Sequence, residues 1–292
     1  MTETLNRRLR ALLEARDAVL VPGAANALAA RIIEDVGFKA AYVTGAGVTN
    51  TYLGAPDIGL IGLTEIADHV AAMRDAVEIP LIVDADTGFG NALNVARTVK
   101  VLERSGANAI QLEDQTFPKR CGHFSGKTVV PTDEMVQKIR AAVDARRDRD
   151  LVILARTDAI AAHGFADAME RAQAFIAAGA DMTFVEAPRT LEQLAAIPRQ
   201  LAVPQLVNLV AGGVTPMVEL AELKRMGFAI VLYANAALQA AIHGMQCVLG
   251  HLFEHGSLTG AEDRIAGFAE RQRVVAKPLY DALEQKYASP EK

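Results

Sequence analysis

The 292-residue sequence contains no tryptophan, only two cysteines and no long hydrophobic segment. No apolar run approaches the roughly 18 residues that a membrane-spanning helix needs, and the N-terminus has no apolar core of signal-peptide length. A lone disulfide is not expected in so large and apolar a chain, so both thiols are predicted to be reduced. We therefore expect a cytoplasmic protein with no membrane segment.

An excess of positive charge is also missing. The formal net charge is −5, and the 30 lysine and arginine residues are dispersed along the chain. No basic stripe of the kind that binds nucleic acid or an anionic membrane is present. Because hydrophobic residues make up 51% of the chain, it can bury a full core, and we expect a small-molecule substrate.

Eight short apolar runs, rich in valine, isoleucine and leucine, alternate with amphipathic stretches of helical periodicity. This alternation is typical of parallel strands joined by crossover helices. Without an obvious second domain, it predicts an α/β fold, a (β/α)₈ barrel of the TIM type over residues 1–292, with an open doubly wound sheet as the alternative. The predicted strands are 18–21, 40–43, 80–83, 109–112, 151–154, 182–185, 204–207 and 229–232.

The C-terminal region contains more helix than one barrel unit requires. Residues 236–256 and 262–286 are each predicted to form one helix after the last strand. We expect these helices to take part in subunit packing, and hence a homo-oligomer.

Polar residues follow nearly every predicted strand. Barrel enzymes build their active sites at this end of the strands, although a polar residue there can also cap a helix or begin a turn. Burying so many carboxylates around one opening would be costly without a cation. The strand-end residues that could bind a ligand or take part in a reaction are Asp84, Asp86, Glu113, Arg156, Glu186 and Asn208.

Asp84 and Asp86 flank Ala85 at the end of the third strand, so their side chains are expected to point the same way. Two such carboxylates offer oxygen ligands to one hard cation, and Glu113 could add a third. Mg²⁺ fits best, with Mn²⁺ as a substitute, because the histidines and cysteines are not spaced as a zinc site. A helix cap or an ion pair is the alternative interpretation of these aspartates.

The long segment after Glu113 contains Cys121 among Lys119, Arg120 and His123. Nearby cations lower the pKa of a thiol, so Cys121 could act as an acid or a nucleophile, with His123 as a hydrogen-bonding neighbour. Gly122 would permit a tight loop, and the segment is a candidate lid. The alternative is a solvated loop in which the thiol is incidental.

Arg156 at the end of the fifth strand is suited to hold a substrate carboxylate, unless it forms an ion pair with Glu186 or Glu113. The backbone N–H groups after the second strand could bind a carboxylate or an oxyanion. The Gly212-Gly213 pair keeps a phosphorylated substrate as an alternative.

These motifs together resemble the isocitrate lyase and phosphoenolpyruvate mutase superfamily over residues 10–255. The segments that carry the resemblance are Asp84-Ala-Asp86-Thr-Gly-Phe-Gly90, Glu113-Asp114-Gln115, Lys119-Arg-Cys-Gly-His123-Phe-Ser-Gly-Lys127, Ala155-Arg156-Thr-Asp158 and Gly213-Val-Thr215-Pro216. The cysteine-containing loop is similar to the lyase branch, which includes 2-methylisocitrate lyase, 2,3-dimethylmalate lyase and oxaloacetate hydrolase.

The resemblance implies a dimer of dimers in which the last helix is exchanged between subunits, and a mobile loop that closes over substrate. It also implies Mg²⁺ surrounded by Asp57, Asp84, Asp86 and Glu113. The substrate would contact Thr44, Gly45, Ala46, Gly122, Arg156, Glu186 and Asn208.

The implied reaction is the cleavage of a carbon–carbon bond in a small 2-hydroxy carboxylate, which leaves a 2-keto acid such as pyruvate and a carboxylic acid. Tyr42 or a carboxylate of the metal shell, such as Glu113, would remove the hydroxyl proton. Cys121 would then protonate the departing carbanion, so its thiol must carry a proton when cleavage occurs.

Two positions depart from the methylisocitrate lyase pattern and weaken the case for a tricarboxylate. They are the Tyr233-Ala-Asn235 sequence after the eighth strand and Gln239 in place of an arginine. A substituted malate is therefore favoured, and 2-methylisocitrate remains a close competitor. Two further functions stay open, an oxaloacetate hydrolase or decarboxylase on the same scaffold and a non-catalytic metabolite-binding barrel.

Overall fold

All eight predicted strands form in the computed structural model, which describes residues 4–120, 126–210 and 212–288. They lie within about three residues of the apolar runs that predicted them. The strands are β1 (Val19–Ala24), β2 (Ala41–Val43), β3 (Leu81–Asp84), β4 (Ala109–Glu113), β5 (Val152–Thr157), β6 (Met182–Val185), β7 (Gln205–Asn208) and β8 (Ile230–Tyr233).

Every strand pairs in parallel with its sequence neighbour, and β8 pairs with β1, with Val19 opposite Ile230. The sheet therefore closes on itself, which confirms the (β/α)₈ barrel and excludes the open sheet. The helices are α1 (Leu5–Glu14), α2 (Ala27–Val36), α3 (Gly45–Leu53), α4 (Leu63–Ala76), α5 (Ala92–Arg104), α6 (Thr132–Ala145), α7 (Ala159–His163), α8 (Phe165–Ala177), α9 (Leu191–Gln200), α10 (Leu220–Met226), α11 (Ala236–His255), α12 (Phe268–Val274) and α13 (Lys277–Tyr287).

Local sequence signals set the helix ends. At α2, the Asn26 side chain accepts a hydrogen bond from the Ala29 N–H, and Gly37 ends the helix with a φ of 104°. A left-handed residue of this kind favours glycine because it has no Cβ. Gly227 ends α10 in the same way, with a φ of 95°.

The barrel interior is apolar near the N-terminal ends of the strands, where α1 covers it. Leu9 and Leu13 of α1 are buried in the interior cluster. Arg10 donates to the Asp150 carbonyl and to the Asp181 carboxylate, which lie just before β5 and β6. The charged side chains that line the barrel opening described below lie at the opposite, carboxyl end of the strands.

The chain divides into two compact units, Met1–Ala236 and Ala237–Lys292. In the second unit, α11 confirms the first predicted C-terminal helix and carries Cys247, which is a free, exposed thiol. None of the residues of α11, α12 or α13 is buried. Among the described helices, none is both long and apolar enough to cross a membrane.

The prediction of one continuous helix over 262–286 is wrong. A short 3-10 helix at Glu262–Arg264, α12 and α13 share this segment, and Ala276 adopts a left-handed φ of 56° between the two α-helices. Pro278 at the start of α13 has no N–H to donate to the preceding turn, so it cannot continue a helix that began upstream.

Candidate active site

A small cavity of about 40 Å³ lies at the carboxyl ends of the strands. Most residues predicted for the site line it, and Gly45 and Asp86 adjoin it. The predicted residues in its wall are Tyr42, Thr44, Ala46, Asp57, Asp84, Glu113, Arg156, Glu186 and Asn208. Cys121, Gly122 and His123 lie outside the described residues, so their predicted roles stay predictions.

The turn after β3 brings Asp84 and Asp86 together. The strand ends at Asp84, and Asp86 adopts a left-handed φ of 47°, a conformation that aspartate tolerates better than most residues. Their convergence therefore comes from a turn and not from the strand alternation that predicted it. A Cβ placed on Gly45 would lie 3.2 Å from Asp84 Oδ2 and 3.3 Å from Asp86 Oδ1, so both oxygens face the space beside this glycine.

Lys119 enters this group of carboxylates. Its Nζ lies 2.5 Å from Asp57 Oδ1 and 2.8 Å from Asp86 Oδ1, and its side chain is 4% exposed. The sequence pattern predicts Lys119 as a cation beside the thiol, whereas the structure places its ammonium in the pocket. Burial alone would lower the pKa of Lys119, but the surrounding carboxylates outweigh burial and raise this pKa above its usual value.

We call Asp57, Asp84, Asp86 and Glu113 the acidic cluster. Burial raises the pKa of Asp86 to about 7, opposed by Lys119 and assisted by Asp84 and Asp57. Burial also raises the pKa of Glu113 well above its usual range, although Arg156 opposes that shift. The lysine therefore compensates the buried negative charge only in part.

The acidic cluster has the kind of donor atoms that a hard divalent cation prefers. Its donors are all carboxylate oxygens, and the buried Asp86 Oδ1 and Glu113 Oε1 have no hydrogen-bond partner within residues 4–120, 126–210 and 212–288. Asp86 Oδ1 does form the 2.8 Å ion pair with Lys119, but this contact lacks hydrogen-bond geometry. In the described part of the chain, no three acidic, histidine or cysteine side chains converge on one point as metal ligands.

Tyr42 is buried beside the cluster and acts as a hydrogen-bond donor. Its hydroxyl donates to Gln111 Oε1 at 2.8 Å, and Gln111 Nε2 donates to Asp84 Oδ1 at 3.0 Å. Burial, and next the charge of Asp84, raise the pKa of Tyr42 well above 10. This arrangement disfavours the predicted role of Tyr42 as a base. Gln111 could have been found from sequence, because it is the polar residue inside an apolar strand.

Arg156 pairs most closely with Asp158, a partner that the sequence pattern does not indicate. Its Nε lies 2.8 Å from Asp158 Oδ2 and its Nη2 lies 3.0 Å from Asp158 Oδ1. The two partners expected from sequence are farther away, at 3.4 Å for Glu113 and 4.0 Å for Glu186. The guanidinium also stacks 5.1 Å from the centre of the Phe184 ring. Arg156 thus lies in the pocket wall with its orientation fixed.

The N-terminus of α3 contributes backbone donors. Thr44 caps this helix by accepting a hydrogen bond from the Gly47 N–H at 3.3 Å. Gly45 and Ala46 follow in the first turn, where backbone N–H groups have no acceptor within the helix and the helix dipole is positive. This position suits the predicted role of the segment in holding a carboxylate.

Two asparagine amides complete the wall. The Oδ1 atoms of Asn208 and Asn235 are buried, and neither has a hydrogen-bond partner among the described residues. Unpaired amides in a cavity suit a polar ligand, since each offers both donors and an acceptor. Asn235, one of the sequence departures, is therefore a pocket residue.

Comparison with known proteins agrees with this geometry. The family profile of phosphoenolpyruvate phosphomutase matches residues 9–253. The 2,3-dimethylmalate lyase of Eubacterium barkeri is 40% identical over 282 residues, which cover 97% of this chain and 98% of the relative. The 2-methylisocitrate lyase of Aeropyrum pernix is 44% identical over 257 residues, which cover 88% of this chain and 82% of the relative.

Solved structures give the same grouping. Oxaloacetate acetylhydrolase in complex with 3,3-difluorooxalacetate matches with a TM-score of 0.89 and 40% identity, over 97% of this chain and 96% of that chain. Phosphonopyruvate hydrolase in complex with oxalate and Mg²⁺ matches with a TM-score of 0.88 and 31% identity, over 98% and 99%.

The chain belongs to the phosphoenolpyruvate mutase/isocitrate lyase superfamily, which confirms the resemblance drawn from its motifs. Within this superfamily it is an enzyme of the carbon–carbon lyase class, as its named lyase relatives show.

Proposed function

We propose that the protein cleaves a carbon–carbon bond of a small 2-hydroxy dicarboxylate, with a substituted malate such as 2,3-dimethylmalate as the favoured substrate, in a reaction that depends on Mg²⁺. The observation that carries this proposal is the buried acidic cluster in the same cavity as Arg156, with carboxylate oxygens that accept no hydrogen bond from any residue the structure describes. The cluster suits a cation, and the arginine suits a substrate carboxylate. One small site could therefore bind both ends of such a molecule, one through the cation and the other through Arg156.

Mg²⁺ held by Asp57, Asp84, Asp86 and Glu113, with Mn²⁺ as a substitute, would polarise the substrate oxygens as a Lewis acid. The complex of phosphonopyruvate hydrolase with oxalate and Mg²⁺ supports this assignment, because that protein shares the fold over nearly its whole length.

The chain's own groups divide the remaining work. Arg156 and the first turn of α3 hold the carboxylates of the substrate, and Glu186, Asn208 and Asn235 line the rest of the cavity. A carboxylate of the acidic cluster takes the hydroxyl proton, since the Tyr42 hydroxyl already donates to Gln111. Cys121 delivers a proton to the departing carbanion.

The cationic groups of the pocket favour a substrate with few carboxylates. Lys119, Arg120 and Arg156 line the cavity, and Lys119 and Arg156 already contact protein carboxylates at 3.0 Å or less. A tricarboxylate would require further positive charge. This supports a substituted malate over 2-methylisocitrate, the substrate named for the relative from Aeropyrum pernix.

The testing experiment is an assay of 2-keto acid release, with Mg²⁺, from 2,3-dimethylmalate, other substituted malates, 2-methylisocitrate, isocitrate and oxaloacetate. We expect the highest kcat/KM with a substituted malate. Release of a 2-keto acid from none of the hydroxy acids would refute the proposal.

A second candidate function is hydrolysis or decarboxylation of oxaloacetate. The likeness to oxaloacetate acetylhydrolase, at 40% identity and a TM-score of 0.89, favours it. In the same assay, oxalate and acetate from oxaloacetate would identify the hydrolase, and pyruvate from oxaloacetate would identify the decarboxylase.

The role of Cys121 has a direct test. Replacing its thiol by a hydroxyl raises the pKa of the proton donor far above neutrality, so Cys121→Ser should keep substrate binding and lose most cleavage. Turnover near that of the wild type would remove Cys121 from the reaction.

We also propose that the protein is a cytoplasmic homo-oligomer, a dimer of dimers that packs through its C-terminal helices. Met245, Leu249 and Phe253 lie four residues apart on one face of α11 and are 55%, 60% and 92% exposed. A second copy of the chain would cover this apolar face. Light scattering should give the mass of a tetramer, and a monomer would contradict the proposal.

A further inference from the structure

A second group of buried charges lies behind the pocket wall, and its centre is Asp158. Lys127 Nζ lies 2.6 Å from Asp158 Oδ1, and the two side chains are 1% and 0% exposed. The same carboxylate accepts both hydrogen bonds from the Arg156 guanidinium. One buried aspartate thus contacts two buried cations. Burial would raise the pKa of Asp158, but Arg156 and Lys127 outweigh burial and lower this pKa to about 2.

The position of Asp158 is fixed from the side away from the pocket. Its backbone N–H donates to Asp114 Oδ1 at 2.9 Å, and Thr157 Oγ1 donates to Asp114 Oδ2 at 2.7 Å. Arg171 Nη1 lies 3.4 Å from Asp114 Oδ2 and donates to the Val130 carbonyl at 2.8 Å. These contacts hold the Asp114 carboxylate in place, and Asp114 in turn holds the backbone of Asp158. Asp158 is therefore a rigid reference point for its neighbours.

On the pocket side, Arg156 has two other carboxylates within reach. Glu113 lies 3.4 Å from Nε and Glu186 lies 4.0 Å from Nη2. A guanidinium without Asp158 would turn toward these carboxylates, because a buried cation requires a counter-charge. It would then compete with the cation for Glu113 and would lose the orientation in which it holds the substrate carboxylate.

We propose that Asp158 is a positioning residue for the reaction: it fixes the orientation of the Arg156 guanidinium, which would otherwise turn further toward Glu113 and Glu186, and Lys127 supplies a second positive charge beside the shared carboxylate. The inference rests on the proposed function, in which Arg156 holds a substrate carboxylate. Asp158 contacts no reacting atom itself and acts through Arg156.

The test uses a background that lacks the Lys127 ammonium, which would otherwise lose its contact with the Asp158 carboxylate. Asp158→Asn alone leaves the Lys127 ammonium buried without its carboxylate and threatens folding, whereas Lys127→Met/Asp158→Asn removes both charges of the pair. The reference protein is Lys127→Met. The measurements are the dissociation constant of oxalate in the presence of Mg²⁺, kcat and KM separately, and the thermal midpoint.

We expect Lys127→Met/Asp158→Asn to bind oxalate at least tenfold more weakly than Lys127→Met, with a rise in KM that exceeds the fall in kcat. The same Asp158→Asn change in a Lys127→Met/Arg156→Gln background should alter oxalate affinity less than twofold, because no guanidinium remains to be positioned.

An equal loss with and without Arg156, or no loss in either background, would overturn the positioning role. A wild-type protein that neither binds oxalate with Mg²⁺ nor cleaves any substrate would overturn the proposed function and this inference with it. The two failures are therefore distinguishable.

Discussion

Two buried groups of charged residues meet at the ends of β4 and β5, and they differ in how fully their polar atoms are paired. We call the second group the ion-pair network: Asp114, Lys127, Asp158 and Arg171. Its carboxylates accept hydrogen bonds from side chains and backbone, and each contacts a cation. In the acidic cluster, by contrast, Asp86 Oδ1 and Glu113 Oε1 accept no hydrogen bond from the part of the chain that the structure describes.

The difference indicates two uses for buried charge in one barrel. A fully paired group stabilises the positions of its neighbours, and removal of one member leaves another uncompensated. A group with unpaired acceptors costs stability and persists where a ligand completes it. Substitutions in the acidic cluster are therefore expected to reduce activity more than stability. Substitutions of Asp114 and Arg171 in the ion-pair network should do the reverse, whereas substitution of Asp158 should also weaken substrate binding through Arg156.

The largest effect is expected for Asp84→Asn. The substitution removes a negative charge from the proposed cation site, so kcat/KM should fall about a thousandfold, or about 4 kcal/mol. Stability should be unchanged or higher, since the charge of Asp84 raises the pKa of Asp86 and so opposes the ionisation of that buried carboxylate. Steady-state kinetics and a thermal denaturation curve measure the two effects. A large loss of stability would place Asp84 with the ion-pair network.

The next effect is expected for Arg171→Met. Arg171 is 7% exposed, and its loss leaves the Asp114 carboxylate without its cationic partner and the Val130 carbonyl without the hydrogen bond from Arg171. The free energy of unfolding should fall by about 3 kcal/mol, measured with chemical denaturant. Arg225→Met is the matched control, because its ion pair with Glu222 is exposed and should contribute well under 1 kcal/mol.

The activity of Arg171→Met per folded molecule separates the effect on catalysis from the effect on stability. Arg171→Met should retain most of its kcat/KM at a temperature where it remains folded. A thousandfold loss would show that the two groups do not divide as proposed.

The smallest effect is expected for Gly45→Ala. The new methyl group would lie 3.2 Å from Asp84 Oδ2 and 3.3 Å from Asp86 Oδ1, so the carboxylates must shift by a few tenths of an ångström. We expect kcat/KM to fall about tenfold, or about 1.4 kcal/mol, while the helical position gains stability from alanine.

Gly62→Ala is the control for that substitution. Its methyl group would also lie 3.2 Å from a carboxylate oxygen, that of Glu65, which caps α4 outside the acidic cluster. Equal kinetic effects of the two alanines would remove the special role of the space beside Gly45.

The barrel was predictable from sequence because short segments of the chain specify its strands and its helix ends. Each strand is a short apolar run, and glycines such as Gly37 and Gly227 mark the helix ends. The C-terminal break was missed because the periodicity of the segment is helical on both sides of Ala276, and only Pro278 signals the interruption.

The members of the site were also predictable in part, because parallel strands bring their carboxyl ends to one face. The pairing among them was not. The sequence does not tell which carboxylate Arg156 will contact. In the structure, Arg156 Nε lies 2.8 Å from Asp158 Oδ2 and 3.4 Å from Glu113 Oε2. Lys119 enters the pocket through the three-dimensional course of a loop, which no strand or helix pattern specifies.

Titration of the metal-free protein with Mn²⁺, followed by electron paramagnetic resonance, shows whether the acidic cluster holds a divalent cation. We predict one bound Mn²⁺ per chain, displaced by Mg²⁺, retained in Arg171→Met and lost in Asp84→Asn. Absence of Mn²⁺ binding in the wild type, or equal binding in wild type and Asp84→Asn, would contradict the proposed cation site.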